Sequence, residues 1–162
     1  MVKETLSVYD KNMKIECGAF RSGENIPPEY TCDGDNVCPP LSFVGAPQGT
    51  ESFALIVDDP DSPSGVWNHW TIWNISSDTR EIAEGKVPSG AREGTTTFGD
   101  IGYGGPCPGS GKHRYFFKLY ALDATANLVR GAAKKELMEA MKPHILEVAE
   151  LFGYYERKKQ GV

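Results

Sequence analysis

The chain is 162 residues long, with a formal net charge of −5 and a sequence pI near 5.2. That acidic balance excludes nucleic acid or an anionic membrane surface as the main partner, since both select a basic surface. No run nears the roughly 18 apolar residues of a membrane span, and the opening MVKETLSVYD lacks the regions of a secretion signal, so the expectation is one cytoplasmic domain over residues 1–162 with no membrane insertion.

In chain order, residues 4–9 and 13–20 alternate apolar and polar positions and read as two strands joined by a turn at 10–12. Residues 21–40 then form a long loop centred on YTCDGDNVCPPL, and loops of that length in a compact domain are often functional. SFALIVD at 52–58 is apolar on both faces and reads as a buried central strand. It runs into DDPDSPSG, a turn that can present a carboxylate at the rim of a sheet. NHWTIWNIS at 68–76 is the next strand, and strict alternation puts His69, Thr71, Trp73 and Ile75 on one face. Residues 77–112 are mostly irregular. The strand at 114–122 follows, with His113, Tyr115, Phe117 and Leu119 sharing a face. Leu137, Met141, Ile145, Val148 and Phe152 recur at helical steps, and Pro143 must break that helix, giving one over 134–142 and a second over 143–150. LFGYYER ends the pattern as a short strand or an extended cap.

The four cysteines show no CxxC, so neither a zinc ribbon nor a thioredoxin motif is supported, and free thiols are the default in a cytoplasmic chain. Cys32, Cys38 and Cys107 lie in Pro/Gly-rich loops, which leaves a disulfide among them open. The glycine loop GYGGPCPGSGKHRY fails the nucleotide templates. A P-loop requires glycine where Pro106 stands and Ser or Thr where His113 stands. Asp59, Asp61, His69 and His113 are available as metal ligands, or as parts of a small hydrolase, but no helix fixes their spacing. The remaining chemistry is anion binding. Backbone N–H groups of a glycine loop, two histidines and the Tyr115 hydroxyl are donors, and Asp59 would either accept from a histidine N–H or meet a ligand's cation.

Taken together, YTCDGDNVCPPLSF, IVDDPDSPSG with WNHW, and GYGGPCPGSGKHRYFFKLYALD resemble the phosphatidylethanolamine-binding protein family, also called the Raf kinase inhibitor-like family, in its short prokaryote-type branch. The resemblance implies a mainly β fold: a β-sandwich with a large central antiparallel sheet, a smaller sheet and peripheral C-terminal helices. It implies a pocket for a phosphate- or carboxylate-bearing ligand such as a phospholipid head group, with no metal or cofactor and no catalysis. The ligand-binding residues would be Asp59, His69, Gly105, Pro106, His113 and Tyr115, with Pro60, Asp61 and Trp67 shaping the walls. A kinase or serine protease is the protein partner the resemblance implies, and a two-fold homodimer is the commonest assembly to expect. Cys38 departs from the pattern, standing where a small polar residue is expected. The chain also ends before the longer C-terminal helix of other members, which leaves the pocket more open.

Overall fold

The computed structural model describes residues 12–158. The expected strand at 4–9 lies outside them. Among the described residues, eight strands form two antiparallel sheets. β1 (Lys14–Cys17), β2 (Leu41–Val44) and β5 (Glu81–Ile82) make the smaller sheet in the order β1-β2-β5. The larger sheet has the order β6-β4-β3-β7-β8, from β3 (Ser52–Asp59), β4 (Trp67–Ser76), β6 (Arg92–Glu93), β7 (His113–Leu122) and β8 (Ile145–Tyr155). No helix among the described residues is long and apolar enough to cross a membrane.

β3 is the centre of the molecule, and its composition follows from that place. Phe53, Leu55 and Val57 face the smaller sheet and pack with Leu41, Phe43, Ile72 and Phe117. Ala54 and Ile56 face the other way, against Trp73, Leu137 and Met141. Covered on both sides, β3 is buried at every position. A continuous apolar run, rather than an alternating one, is what such a strand requires.

The C-terminal region departs from the expected two helices. A single α-helix, α1 (Lys134–Met141), is present among the described residues. Pro143 does end it, inside a 3-10 turn at Lys142–His144, but the chain then leaves as β8. Ile145, Val148 and Phe152 had fitted a helical stripe by spacing. In the fold Val148 is 42% exposed while Ala149 and Leu151 are buried, which is a strand's alternation. β7 decides the matter: its free edge accepts β8 along its whole length, from His113↔Tyr155 to Leu122↔Ile145. A long run of satisfied backbone groups outweighs a weak helical period.

The outer edge of β8 is itself partly covered. Gly23 N–H donates to Phe152 O, Ile26 N–H to Tyr154 O, and Tyr154 N–H to Glu24 O, while the Ser22 hydroxyl accepts from Phe152 N–H. The long 21–40 loop thus begins as a partner to the last strand.

The expected free thiols are corrected as well. Cys32 and Cys107 form a disulfide across 75 positions, and Cys17 and Cys38 stay free. Folding brings the two loops together, which residue spacing alone does not encode.

Candidate functional site

Antiparallel pairing brings the end of β3 beside the beginnings of β4 and β7. Asp59 closes β3, Trp67 opens β4 and His113 opens β7. Three strand ends thereby deliver a carboxylate, an indole and an imidazole to one corner.

A β-bulge adds His69. The register steps from Val57↔Trp70 to Asp58↔Asn68, leaving His69 as the extra residue. Asn68 braces this step by donating from Nδ2 to Asp58 Oδ1 at 3.0 Å and to the Trp70 carbonyl at 3.2 Å. A bulge re-aims a side chain, and here it turns His69 to the side that holds Trp70 and Tyr115. The expected common face of His69, Thr71, Trp73 and Ile75 is therefore wrong. Trp73 lies in the core against α1, and a second irregularity at Asn74 (φ 57°) returns Ile75 to the core between the sheets.

The glycine loop covers this corner and fixes both histidines. His69 Nδ1–H donates to the Gly104 carbonyl at 2.7 Å, so Nε2 is the atom left for the cleft. His113 Nδ1–H donates to Asp59 Oδ2 at 2.6 Å, and its Nε2 lies 3.1 Å from the Ser110 carbonyl. Both ring nitrogens of His113 therefore face acceptors. Asp59 Oδ1 meanwhile accepts from Asp61 N–H at 2.7 Å. Asp59 is thus engaged by both the His113 ring and the Asp61 amide.

The resulting cleft has a volume of about 220 Å³ and is lined by Asp59, Trp67, His69, Phe98, His113 and Tyr115, with turn residues at its rim. Two of its donors have no partner: the Tyr115 hydroxyl, on a side chain with no exposed surface, and Trp67 Nε1–H. A buried donor without a protein partner is costly, and it suits an acceptor brought by a ligand or by water. Burial, then the charge of Asp59, pushes the Tyr115 phenol well above its ordinary range, so it stays a donor. Burial lowers His69 despite the Gly104 bond, so the ring is neutral at pH 7.

Of the residues expected from sequence, the fold brings together Asp59, Trp67, His69, His113 and Tyr115. Gly105 lies outside the cleft. Its N–H is spent on Asn36 Oδ1 at 2.8 Å, and a Cβ there would sit 2.2 Å from the Tyr30 carbonyl, so glycine is needed for close packing. Pro106 is buried behind it, accepting from Cys32 N–H. Pro60 faces a separate cleft beside Asp58 and Arg114.

Asp61 turns away to accept from Arg114, through Nε at 2.9 Å and Nη2 at 2.8 Å. The four-residue metal set is thereby dispersed, and among the described residues no three His, Cys, Asp or Glu side chains form a metal-binding group. Phe98 and the carbonyls of Gly104 and Ser110 were not foreseen. Backbone groups leave no mark in sequence, and Phe98 stood alone in a region without period.

The Arg114 bonds hold the Asp61 carboxyl down at about 2. A depressed folded value gives stability that is present above the ordinary carboxylate range and is lost as pH falls through about 2. Arg114 is 44% exposed, so the contribution is at most about 1 kcal/mol. Asp61→Asn should therefore be less stable than the parent at pH 6. The gap should close by pH 2 in urea titrations; a gap constant with pH would rule out the ion pair as its cause.

Comparison with known proteins agrees with this architecture. A protein of Methanothermobacter thermautotrophicus, named only as a UPF0098 protein, is 49% identical over 150 residues, covering 90% of this chain and 99% of its own. A UPF0098 protein of Aquifex aeolicus is 45% identical, covering 90% of this chain and 89% of its own. Among solved structures, a phosphatidylethanolamine-binding protein homolog from Chlamydia trachomatis superposes with a TM-score of 0.88 at 42% identity, over 92% of this chain and 100% of that one. YbcL of E. coli, described as a member of the mammalian family, gives 0.84 at 31% identity, over 90% and 99%. Residues 17–156 match the model of the family described as phosphatidylethanolamine-binding protein. On these matches, the chain belongs to the phosphatidylethanolamine-binding protein family.

Proposed function

We propose that this protein binds a small phosphate- or carboxylate-bearing anion in the cleft at the ends of β3, β4 and β7, and that it acts as a binding protein rather than an enzyme. One observation carries the reading: two buried donors that line the cleft, Trp67 Nε1–H and the Tyr115 hydroxyl, have no hydrogen-bond partner within the limits of ordinary geometry, while Asp59 is engaged by His113. An oxyanion would accept from Tyr115 and from Trp67 Nε1–H. His69 Nε2 would join as a third donor on taking up a proton.

A hydrolase using Asp59 and His113 is disfavoured by the same geometry, since both His113 nitrogens already face acceptors and none is free to take a proton from water. Regulation of a kinase or protease partner would use surfaces beyond this cleft and follows only from the family likeness. A cytoplasmic home would have to leave the exposed Cys107 disulfide oxidised, which a reducing cytosol does not favour.

The test is calorimetric titration with inorganic phosphate at pH 7 and pH 5.5. His69 begins neutral with a lowered pKa, so binding that recruits it takes up a proton, and affinity rises as pH falls. His69→Ala, measured in parallel, removes that rise while sharing phosphate's own titration. A charge-assisted hydrogen bond contributes about 1.5–3 kcal/mol, so the loss at pH 5.5 should be on the order of 10- to 100-fold. Absence of phosphate binding by the parent at both pH values would overturn the reading.

A further inference from the structure

We infer that Asp58 and Lys134, on the face of the large sheet turned away from the anion cleft, are positioning residues for His69 and act on it through the side chain of Asn68; their effect on ligand binding rests on the anion reading above. His69 reaches the cleft because one residue is inserted where β4 pairs with β3, between Val57↔Trp70 and Asp58↔Asn68. A bulge disrupts the ladder locally, and here the Asn68 side chain bridges the gap. Its Nδ2 carries two hydrogens and faces three acceptors: Asp58 Oδ1 at 3.0 Å, the Trp70 carbonyl at 3.2 Å and the Val57 carbonyl at 3.3 Å. One amide thereby ties β3 to the residues before and after His69.

Asp58 anchors that amide from behind. Its neighbour Asp59 lines the anion cleft, whereas Asp58 points to the opposite face and is 9% exposed. A carboxylate so placed needs a partner for each oxygen. Oδ1 takes Asn68, and Oδ2 takes Lys134 Nζ at 2.6 Å. Lys134 opens α1, where a cation opposes the helix dipole, so its place is explained by Asp58 and not by the helix. Lys134, Asp58 and Asn68 thus form a line of contacts from α1 through the sheet to the bulge. On the other flank Thr97 holds the Asn68 main chain: Asn68 N–H donates to Thr97 Oγ1 at 2.8 Å, and Thr97 N–H to Asn68 O at 3.1 Å. The side chain is the part that answers to Asp58. Without that anchor the amide no longer fixes the step, and His69 loses the setting that brings Nδ1–H to the Gly104 carbonyl and Nε2 to the cleft. The charges that bear on His69 are those of Asp59 and then Asp58, with His113 and Tyr115 of β7 beside it, so the test must separate charge from position.

The experiment reads His69 in two ways: by the nitrogen chemical shifts of its ring in ligand-free protein, and by titration with inorganic phosphate at pH 5.5. Asp58→Ala, Asp58→Asn and Lys134→Met are each made in the parent and in His69→Ala. The parent ring should show the Nδ1–H tautomer at pH 7. Asp58→Ala should give a mixture of tautomers and an affinity about 5- to 10-fold lower, close to that of His69→Ala. Asp58→Asn removes the charge but keeps an acceptor for Asn68, and it should stay within about twofold of the parent. Lys134→Met, at the far end of the line, should lose about two- to threefold, and none of the three should matter once His69 is gone. Ring shifts and affinity like the parent's in both Asp58→Ala and Lys134→Met, or equal losses with and without His69, overturn the inference. If Asp58→Ala does not fold, Lys134→Met decides by the same readings. Failure of the parent to bind phosphate overturns the anion reading, while the ring shifts still decide whether Asp58 positions His69.

Discussion

Breaking the Cys32–Cys107 bond is expected to destabilise the fold by about 4 kcal/mol. The two cysteines are 75 positions apart, and in the chain-entropy account a cross-link over a loop of that length removes about that much freedom from the unfolded state. Set against a typical domain stability of about 5–15 kcal/mol, the change is large. The folded state feels the loss too, because the bond ties residues 31–36 to the loop that supplies the Gly104 and Ser110 carbonyls. Three hydrogen bonds back it up: Cys32 N–H to Pro106 O, Gly105 N–H to Asn36 Oδ1, and Tyr103 O–H to Tyr30 O. The loop should therefore stay in place while the midpoint drops. Urea unfolding of the parent against Cys32→Ser/Cys107→Ser reads the effect, and curves that coincide would refute it. The unreduced, denatured parent should show two reactive thiols, Cys17 and Cys38.

Asp59→Ala is expected to cost about 3 kcal/mol. Asp59 is 4% exposed and is the acceptor for both His113 Nδ1–H and Asp61 N–H. Removing it strands two donors, the His113 Nδ1–H and the Asp61 N–H, and breaking a buried pair from one side costs about 3–5 kcal/mol. Asp59→Asn should cost less, since an amide oxygen can still accept from Asp61 N–H. The sharper measurement is the cycle with His113→Ala: once the imidazole is gone, losing Asp59 should cost at least about 2 kcal/mol less than in the parent. Additive losses would mean that the pair is not coupled.

Much of this architecture is legible in the sequence, for a physical reason. β3, β4 and β7 are buried strands, and their apolar runs are long enough to outweigh local ambiguity. The C-terminus is where period misleads. On β8 the exposed positions include Leu146 and Val148 while Glu147 is buried, so the outward face looks apolar and a helical stripe fits by accident. His69 shows the opposite limit. Its residue type and place were readable, but its face depends on one inserted residue in the register with β3, which alternation cannot foresee. The expected anion donor Gly105 is a natural reading of a glycine loop, yet that glycine is required because a Cβ there would sit 2.2 Å from the Tyr30 carbonyl. Long-range encounters such as Cys32 with Cys107, or Phe98 with His69, exist only once the loops have met.

The covering of β8 by residues 22–26 has a consequence for how copies of this protein meet. A long edge strand with open N–H and C=O groups is a template on which another molecule can grow a sheet. Glu24 and its neighbours occupy that template from Phe152 to Tyr154, where no other strand among the described residues pairs with the outer side of β8. The start of the 21–40 loop therefore acts as a guard against strand-by-strand polymerisation. Changes near its middle leave the guard in place, whereas deletions reaching residues 22–26 would uncover an edge already shaped to recruit the next chain.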